Sequence, residues 1–383
     1  MEKSVSLKPI TMIVGGDLAP TESNFSNFAD GNIKALMDDK LYSLINSTDY
    51  KLFNLEVPLT DTLKPISKDG PNLVAPASAI NGLKSLDPVI FGLANNHIMD
   101  QDEQGLYKTM DQLSRHQIKY VGAAENLAGA LKPLIIEKEG LKIGIYACAE
   151  NEFSIALEHR AGANPFDPLE SLDHIVNLKS ECDYVLVLFH GGKEHYRYPS
   201  PGLRKVCRKM ADKGADLIIC QHSHCIGAFE RYSKSVIVYG QGNFLFDRRN
   251  NEYWNTSLLV NVVFGKEMSV EFIPVCKTGN GVSIPESAIS DTILKEFNQR
   301  SENISKPGFI DAEYERYCKS NGLFYLGAFA GFGRILRKID KLLNGMITRQ
   351  LYSSRKLYMI QNFVECEAHR ELFLKYLHVK RKS

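Results

Sequence analysis

The chain has 383 residues, of which 44% are hydrophobic and 24% charged, with a formal net charge of +1, a composition that predicts a globular protein with a sizeable core. Its eight cysteines form no C-x-x-C pair, which argues against a zinc ribbon or a redox motif and favours a reduced, cytoplasmic protein. The first ten residues lack the apolar core of a secretory signal, and no stretch approaches the roughly 20 apolar residues that span a bilayer. We therefore expect neither a secretory signal nor an integral membrane segment.

Short apolar runs alternate with helical periodicity over the first 280 residues, and the end of this region is rich in strands. The predicted strands are 9–15, 50–55, 86–93, 120–123, 134–137, 141–147, 184–189, 216–220, 236–239, 257–264 and 270–275, the last three of them antiparallel. The predicted helices are 34–44, 104–117, 169–178 and 203–213. This order predicts an α/β sandwich of mixed sheets flanked by helices.

Polar residues follow five of these apolar runs. They are Asp17, Glu56, Asn96 with His97, His190, and His222 with His224. Each alone has an ordinary explanation, since strand ends are usually polar and Asn96 could cap the helix that follows. Together they form a ligand set of nitrogen and oxygen atoms without thiolate, which suits Mn, Fe, Zn or Mg.

The pair His222 and His224 is the most suggestive of these motifs. In extended backbone, residues i and i+2 point to the same side, so both imidazoles can converge on one spot. They come just after a buried strand, at the carboxyl edge where open α/β sheets bind ligands. An HxH pair alone is weak evidence, and its weight comes from the other motifs.

Seven motifs in register resemble a known family. They are Gly-Asp at 16–17, Asn-Leu-Glu at 54–56, Ala-Asn-Asn-His-x-x-Asp at 94–100, Gly-Ala-Ala-Glu-Asn at 122–126, His190 with Glu194, Gln-His-Ser-His at 221–224, and Tyr-Gly-Gln-Gly-Asn-Phe-Leu-Phe-Asp at 239–247. The chain resembles the CapA/PgsA family of capsule and poly-γ-glutamate biosynthesis proteins, within the calcineurin-like metallophosphatase superfamily. The resemblance covers roughly residues 8–276 and implies a metallophosphatase-like sandwich.

The resemblance also implies a site for two divalent metal ions. Asp17 and His224 would bind the first ion, and Glu56 would bridge both. The remaining implied ligands, all to the second ion, are Asn96, His190 and His222. Two cations roughly 3.5–4 Å apart activate a water molecule and stabilise both oxygens of an in-line displacement.

The family pattern assigns catalytic roles to His97 and Asp100. His97 would protonate the leaving oxygen or stabilise the phosphoryl transition state, without binding metal. Asp100 would either orient His97 or cap the following helix. Lys193, Arg197 and Arg204 would contact a phosphate or polyanion, or else lie on a solvated helix face.

The chain departs from the superfamily pattern at several positions. The clearest is Ala19, which stands where the first motif usually has a histidine, so the first metal would be held less tightly, or the position filled by water or another residue. Glu56 replaces the superfamily's usual aspartate, as in this family. Cys220 and Ser223 stand in place of glycine and proline, and Gly191 in place of tryptophan.

Beyond the turn-rich 279–281 segment the chain becomes basic. From Ser301 onward it has 15 Lys or Arg and 8 Asp or Glu, a net charge of +7, so the rest carries −6. We predict a metallophosphatase-like domain over 8–278 and a helical extension over 285–383, with helices at 334–351 and 358–377. Residues 321–351 would lie on an anionic membrane surface, pack on the main domain or bind a capsule-machine partner; core packing is the commonest explanation for such a stripe. No nucleic-acid-binding fold is evident.

Two functions from different classes fit these observations. The first is a metal-dependent phosphoesterase or related hydrolase, acting on a phosphate ester or anionic polymer in capsule or other cell-surface polymer synthesis. The polymer would be poly-γ-glutamate or a polysaccharide. The alternative is a non-catalytic metal-binding component of a polymer synthesis or export complex. The first hypothesis is favoured by His97, Glu56 and the HxH pair, and the second by Ala19.

Overall fold

The computed structural model describes residues 8–247 and 250–380. Most of the first ten residues, where the absence of a secretory signal was predicted, lie outside this described part. The chain divides into two compact units, Met1–Ile310 and Asp311–Ser383.

The larger unit contains the strands. In chain order they are β1 (Ile10–Leu18), β2 (Tyr50–Leu55), β3 (Val89–Gly92), β4 (Lys119–Val121), β5 (Ala123–Ala124), β6 (Leu134–Lys138), β7 (Leu141–Ala149), β8 (Gly162–Ala163), β9 (Tyr184–His190), β10 (Leu217–Gln221), β11 (Phe229–Tyr232), β12 (Ser235–Val238), β13 (Thr256–Phe264), β14 (Met268–Thr278) and β15 (Gly281–Ser283).

The α-helices occur in both units. They are α1 (Phe25–Ala29), α2 (Asp39–Asn46), α3 (Ile80–Lys84), α4 (Asp102–Arg115), α5 (Leu127–Ala130), α6 (Ser171–Glu181), α7 (Pro201–Asp212), α8 (Ser287–Ser305), α9 (Phe309–Phe329), α10 (Arg334–Leu342), α11 (Met346–Leu351), α12 (Ser354–Glu365) and α13 (Glu367–Lys380). Short 3-10 helices cover Ile33–Leu36 and Ala77–Ala79.

Two mixed sheets form the framework of the larger unit. The seven-stranded sheet has the order β15-β14-β13-β1-β2-β3-β4, with β1 to β4 parallel and β13 to β15 antiparallel to their neighbours. The six-stranded sheet has the order β11-β12-β10-β9-β7-β6, parallel from β12 to β7 and antiparallel at both edges. A two-stranded sheet pairs β5 with β8.

The main hydrophobic core lies between the two sheets. Its buried residues come from both, including Phe53 and Ile90 of the first sheet and Leu188 and Ile219 of the second. A second cluster packs α6 and α7 on the other face of the six-stranded sheet. The predicted α/β architecture of mixed sheets flanked by helices, with helices at the C-terminal end, is confirmed.

Several predicted elements were wrong in detail. The helix predicted over 34–44 divides at Met37, because Asp38 is extended and caps α2 by accepting a hydrogen bond from the Leu41 amide. The strand predicted over 236–239 was expected among the antiparallel strands of the C-terminal run. In the structure it is β12, which pairs antiparallel with β11 but parallel with β10, and lies in the second sheet rather than beside β13 and β14.

The smaller unit is helical, and its predicted long helices are interrupted. The helix predicted over 334–351 breaks between α10 and α11, where Asn344 and Gly345 have φ of 52° and 78°. The helix predicted over 358–377 breaks at Cys366, whose backbone is extended.

The domain boundary predicted between residues 278 and 285 stays a prediction. Helix α8 follows this segment and belongs to the larger unit, where its Phe297 packs with Phe229 and Phe272. In the described part of the chain, no helix is both long and apolar enough to cross a bilayer.

Candidate metal centre

The carboxyl ends of four parallel strands converge at one edge of the sandwich. Asp17 lies near the end of β1, Glu56 directly follows β2, His190 ends β9, and His222 directly follows β10. The backbone holds these ends together, since the Glu56 amide donates to the Leu18 carbonyl (2.9 Å) and the His222 amide to Asp17 Oδ2 (3.2 Å). Six polar side chains predicted from the sequence therefore meet in one buried cluster.

Two groups within this cluster have metal-site geometry. One contains Glu56, His190 and His222, and the other contains Asp17, Glu56 and His224. In each group the potential ligand atoms lie within 4.8 Å of one another. The groups share Glu56, which is the residue that the family resemblance implies as the bridging ligand.

Glu56 is completely buried, and neither carboxylate oxygen has a hydrogen-bond partner among the described residues. His190 Nε2, His97 Nε2 and His224 Nε2 surround its Oε1 at 3.8, 3.9 and 4.0 Å, which is beyond hydrogen-bonding distance. Burial and the neighbouring charge of Asp17 raise the pKa of Glu56 well above its usual value. An isolated buried carboxylate of this kind is costly without a cation.

Asp17 is equally buried but well partnered. Its Oδ1 accepts from Asn54 Nδ2 (2.8 Å), and its Oδ2 lies 3.3 Å from His224 Nδ1. Burial alone would raise the pKa of Asp17, but the interactions with His224, His190 and Asn54 hold it well below the usual value. Asp17 is therefore an ionised carboxylate, and the neighbouring carboxyl group of Glu56 still lacks a hydrogen-bond partner.

His190 and His222 lie against each other with Asn96 beside them. His190 Nε2 is 3.0 Å from Asn96 Oδ1 and 3.2 Å from His222 Nδ1. Burial, followed by the charge of His222, lowers the pKa of His190 well below 6.5. Burial and His224 lower the pKa of His222 to about 4. Both imidazoles are neutral at pH 7, which is the form that binds metal.

The loop that carries His222 and His224 has an unusual backbone. Both residues have left-handed φ, 84° and 52°, which costs conformational energy in residues other than glycine. His224 Nδ1 lies 2.9 Å from Asn243 Oδ1, and its ring packs on Trp254 with centroids 4.6 Å apart. The imidazoles of His222 and His224 converge as predicted. The backbone at both residues is left-handed, however, and not extended as we expected.

His97 and Asp100 form a pair at the side of the cluster. His97 Nδ1 is 2.6 Å from Asp100 Oδ2, so the other ring nitrogen, Nε2, faces Glu56. Burial lowers the pKa of His97, and the hydrogen bond to Asp100 opposes this effect. Helix α4 begins at Asp102 with Gln101 as its N-cap, so Asp100 does not cap it.

A lysine that the sequence analysis did not single out completes this pair. Lys68 Nζ contacts Asp100 Oδ1 and lies 3.2 Å from His97 Nδ1. The Lys68 side chain is only 2% exposed, although it comes from a largely exposed loop, residues 61–74. The amide of Leu73 in the same loop donates to Asp100 Oδ2 (2.6 Å), so Asp100 joins the loop to His97.

Two asparagines connect the parts of the site and were not assigned a role from the sequence. Asn54 Nδ2 donates to Asp17, and its Oδ1 accepts from Asn95 Nδ2 (3.0 Å). Asn95 Oδ1 in turn accepts from the His97 amide (3.1 Å). Both stand inside motifs quoted for the resemblance, Asn54 near the end of β2 and Asn95 shortly after β3, and this position was the available signal.

Ala19 and two of the three proposed cations also have defined places. Ala19 is buried, and its amide donates to the Leu245 carbonyl (3.0 Å). Because its side chain is a methyl group, this position adds no ligand to the site. Arg204 pairs with Glu230 (3.2 Å), and Arg197 donates to the Ile226 carbonyl (3.1 Å). These two arginines therefore have protein partners.

The residues present fit a divalent metal centre. The unpartnered Glu56 oxygens, the neutral imidazoles and the Asn96 carbonyl oxygen are nitrogen and oxygen donors facing one point. Such donors suit Zn, Mn or Fe, and the carboxylates also suit Mg. The fold and the cluster together define a two-sheet α/β protein with a buried histidine-carboxylate site at the sheet edge.

Comparison with known proteins identifies the family. Residues 11–248, more than half of the chain, match the family described as "Bacterial capsule synthesis protein PGA_cap". The chain belongs to this family, and the resemblance inferred from the motifs is confirmed.

Individual relatives agree with the family assignment. The chain is 30% identical over 210 residues to the "PGA biosynthesis protein CapA" of Bacillus subtilis, covering 54% of this chain and 55% of that protein. It is 29% identical over 213 residues to the "Capsule biosynthesis protein CapA" of Bacillus anthracis, covering 53% and 52%. The chain thus spans about half the length of these curated relatives.

Among solved structures, a crystal structure of "a novel phosphatase" from Mycoplasma pneumoniae is similar with a TM-score of 0.44 and 16% identity, over 71% of this chain and 95% of that one.

Proposed function

We propose that the protein is a metal-dependent hydrolase of the phosphoesterase type that acts in the synthesis of a capsule or other cell-surface polymer. The observation that carries this proposal is Glu56, a fully buried carboxylate with two unpartnered oxygens shared by two potential metal-binding groups. Asp17 and His224 would hold one ion, and His190, His222 and Asn96 the other.

When bound, two divalent cations would supply electrophilic activation and neutralise negative charge on a phosphoryl group. The chain itself would provide proton transfer at His97 Nε2, the ring nitrogen that faces the cluster. Asp100 accepts from Nδ1 and so fixes the orientation of the ring. Lys68 would act as a positioning residue, because it contacts Asp100 and keeps this carboxylate in place.

The substrate class follows from the family and the chemistry of the site. A phosphate ester or a phosphate-containing intermediate of an anionic polymer would suit a pair of cations. The names of the relatives, which concern capsule and PGA synthesis, support poly-γ-glutamate or a polysaccharide as the polymer. We propose a cytoplasmic location, peripheral to the inner face of the membrane, where the protein would meet the synthesis or export proteins.

The first test is the metal content and stability of Glu56→Gln. Wild-type protein should bind close to two Mn ions per chain, gain thermal stability with Mn, and hydrolyse generic phosphomonoesters or phosphodiesters. Glu56→Gln should lose the metal response, and its turnover should fall by more than the roughly 10–100-fold expected for a residue that only supports a ligand. Without metal the variant should be no less stable than wild type, since the carboxyl group that it removes is buried and has no hydrogen-bond partner.

Glu158→Gln is the matched control, because Glu158 is highly exposed and lies away from the cluster. It should bind metal and turn over like the wild type. If wild-type protein binds at most one metal and hydrolyses neither class of ester, the hydrolase proposal fails. The non-catalytic component of a polymer complex, which Ala19 favours, would then take its place.

A further inference from the structure

The C-terminal unit, residues 311–383, exposes a helix that is apolar on one side and basic on the other. Leu342 and Ile335 of α10 are 83% and 78% exposed, and Ile339, Leu343 and Leu336 complete the stripe at 38–44% exposure. At 100° per residue these five residues occupy one side of the helix, and Arg334, Arg337, Lys338 and Lys341 occupy the other. Within this unit, Leu342 and Ile335 are thus the most exposed residues of the stripe.

A cavity of about 410 Å³ lies beside the basic side of α10, within the same unit. Three cationic side chains line it, together with amide and hydroxyl groups and a few apolar residues. The lining residues that concern ligand binding are Arg337, Lys341, Arg349, Ser320, Asn321 and Asn344. The Arg337 guanidinium is held over the Phe324 ring, 5.2 Å from its centroid, so this cation is already oriented.

The cavity carries more positive than negative charge, since three cations and one acidic residue line it. Two ion pairs of the C-terminal unit lie away from it in α9, where Arg316 pairs with Glu313 and Lys319 with Glu315. The one acidic residue that lines the cavity, Asp340, is buried and accepts hydrogen bonds from the Ile347 amide (2.9 Å) and the Thr348 hydroxyl (2.5 Å). It is therefore engaged in joining α10 to α11.

We propose that this unit docks on a membrane that contains anionic phospholipid, with a lipid phosphate in the cavity and the α10 stripe in the acyl boundary. The cations supply the charge complement of the headgroup, and the exposed apolar stripe on the same helix explains why the anion belongs to a lipid. Guanidinium groups bind phosphate bidentately, which suits Arg337 and Arg349 to this role. The proposal does not depend on the metal chemistry of the larger unit.

The test is sedimentation of the full-length chain with phosphatidylcholine vesicles, with and without phosphatidylglycerol. Binding should require phosphatidylglycerol and weaken with salt. Arg337→Gln with Lys341→Gln should weaken binding by about fivefold for each charge removed. Leu342→Ser should weaken it by roughly tenfold, because the leucine no longer buries its side chain in the acyl region.

Two sets of variants in the same unit serve as matched controls. Leu372→Ser removes a leucine of α13 that is 70% exposed, and Arg355→Gln with Lys356→Gln removes two exposed charges of α12. These controls should bind vesicles like the wild type. Circular dichroism and Mn binding should be unchanged in all variants.

Three outcomes would overturn the proposal. Equal binding to neutral vesicles, or equal losses in the controls, would remove the assigned role of α10. A dimer without lipid that Leu342→Ser converts to a monomer would mean that a second copy covers the stripe. Stabilisation by inorganic phosphate without any vesicle binding would mean that the cavity takes a free anion.

Discussion

The metal centre and the C-terminal unit present opposite kinds of groups to a ligand. At the centre, Asp17, Asn54, Asn95 and His97 are connected by hydrogen bonds, and both oxygens of buried Glu56 are unpartnered. The C-terminal unit instead presents cations that line a cavity and an exposed apolar stripe. The first pattern calls for a small cation inside the protein, and the second for an anionic amphiphile outside it.

We expect the largest kinetic effect at the centre, at His97, to which we assign proton transfer rather than metal binding. His97→Ala should keep both metals, because Asp17, Glu56 and the other three histidines are untouched. Its turnover should fall by about 10²–10⁴-fold, the usual contribution of general acid-base catalysis. Elemental analysis and steady-state kinetics measure the two effects separately.

His159→Ala is the control for this variant, since His159 is exposed and lies outside the cluster. Full turnover in His97→Ala would show that its Nε2 does not transfer the proton. Loss of metal in His97→Ala would instead make it a ligand.

Lys68→Met should have an intermediate effect, because Lys68 acts through Asp100 and His97 rather than on the substrate. We expect turnover to fall by roughly 10–100-fold, as for residues that orient an active group, with KM little changed. Lys68→Arg should recover part of the loss by restoring the positive charge beside Asp100. The exposed Lys64 of the same loop pairs with Asp102 (2.8 Å), and Lys64→Met is the matched control. Equal kinetics in both methionine variants would contradict the positioning role.

The smallest expected effect concerns Glu230 of the larger unit, whose negative charge is stabilised by neighbouring side chains. Glu230 accepts from Arg204 and Arg208 at 3.2 and 2.6 Å and from the Tyr239 hydroxyl at 2.5 Å. Burial raises the pKa of Glu230, but these hydrogen bonds outweigh burial and hold the pKa below its usual value. Glu230→Gln should therefore lower the free energy of unfolding at pH 7 by roughly 1–2 kcal/mol.

The pH dependence of this loss gives the sharper test. Because the folded pKa is lowered, the stabilisation is complete above the unfolded pKa of about 4.3 and disappears as the pH falls through the folded value. Denaturant unfolding from pH 7 to pH 3 should show the two proteins converging at low pH. Glu315→Gln in the exposed Lys319 pair of the C-terminal unit should leave unfolding unchanged. A constant difference between Glu230→Gln and wild type at every pH would contradict the ionic explanation.

Sequence patterns predicted those features that depend on neighbours along the chain. Strand β2 agrees with its predicted bounds, because a buried apolar run followed by a polar motif has a clear local signal. The candidate site residues were singled out for the same reason, since each stands at or shortly after the end of an apolar run and parallel strands share an edge.

The remaining features depend on contacts between distant residues or on single backbone conformations. Lys68 lies in an exposed loop with no apolar pattern, and only the tertiary fold brings it to Asp100. The break between α10 and α11 depends on left-handed Asn344 and Gly345 within an otherwise helical pattern. The pairing of β12 with β10 rather than within the later antiparallel strands is likewise set by packing between segments.

The contacts beside the candidate site join residues that lie far apart in the chain, so the order of protein synthesis determines when the site can form. Gln241 Nε2 donates to the Val14 carbonyl across a separation of 227 residues, and Asn243 bridges to Asp17 beside it. Ribosomes add about 5–20 residues per second, so Gln241 leaves the ribosome roughly 10–50 s after Val14. For most of that interval Asp17 and Glu56 have been made, but at least one of His190, His222 and His224 has not. The proposed metal pocket is complete on the nascent chain only after His224, so metal uptake would be a late step of folding.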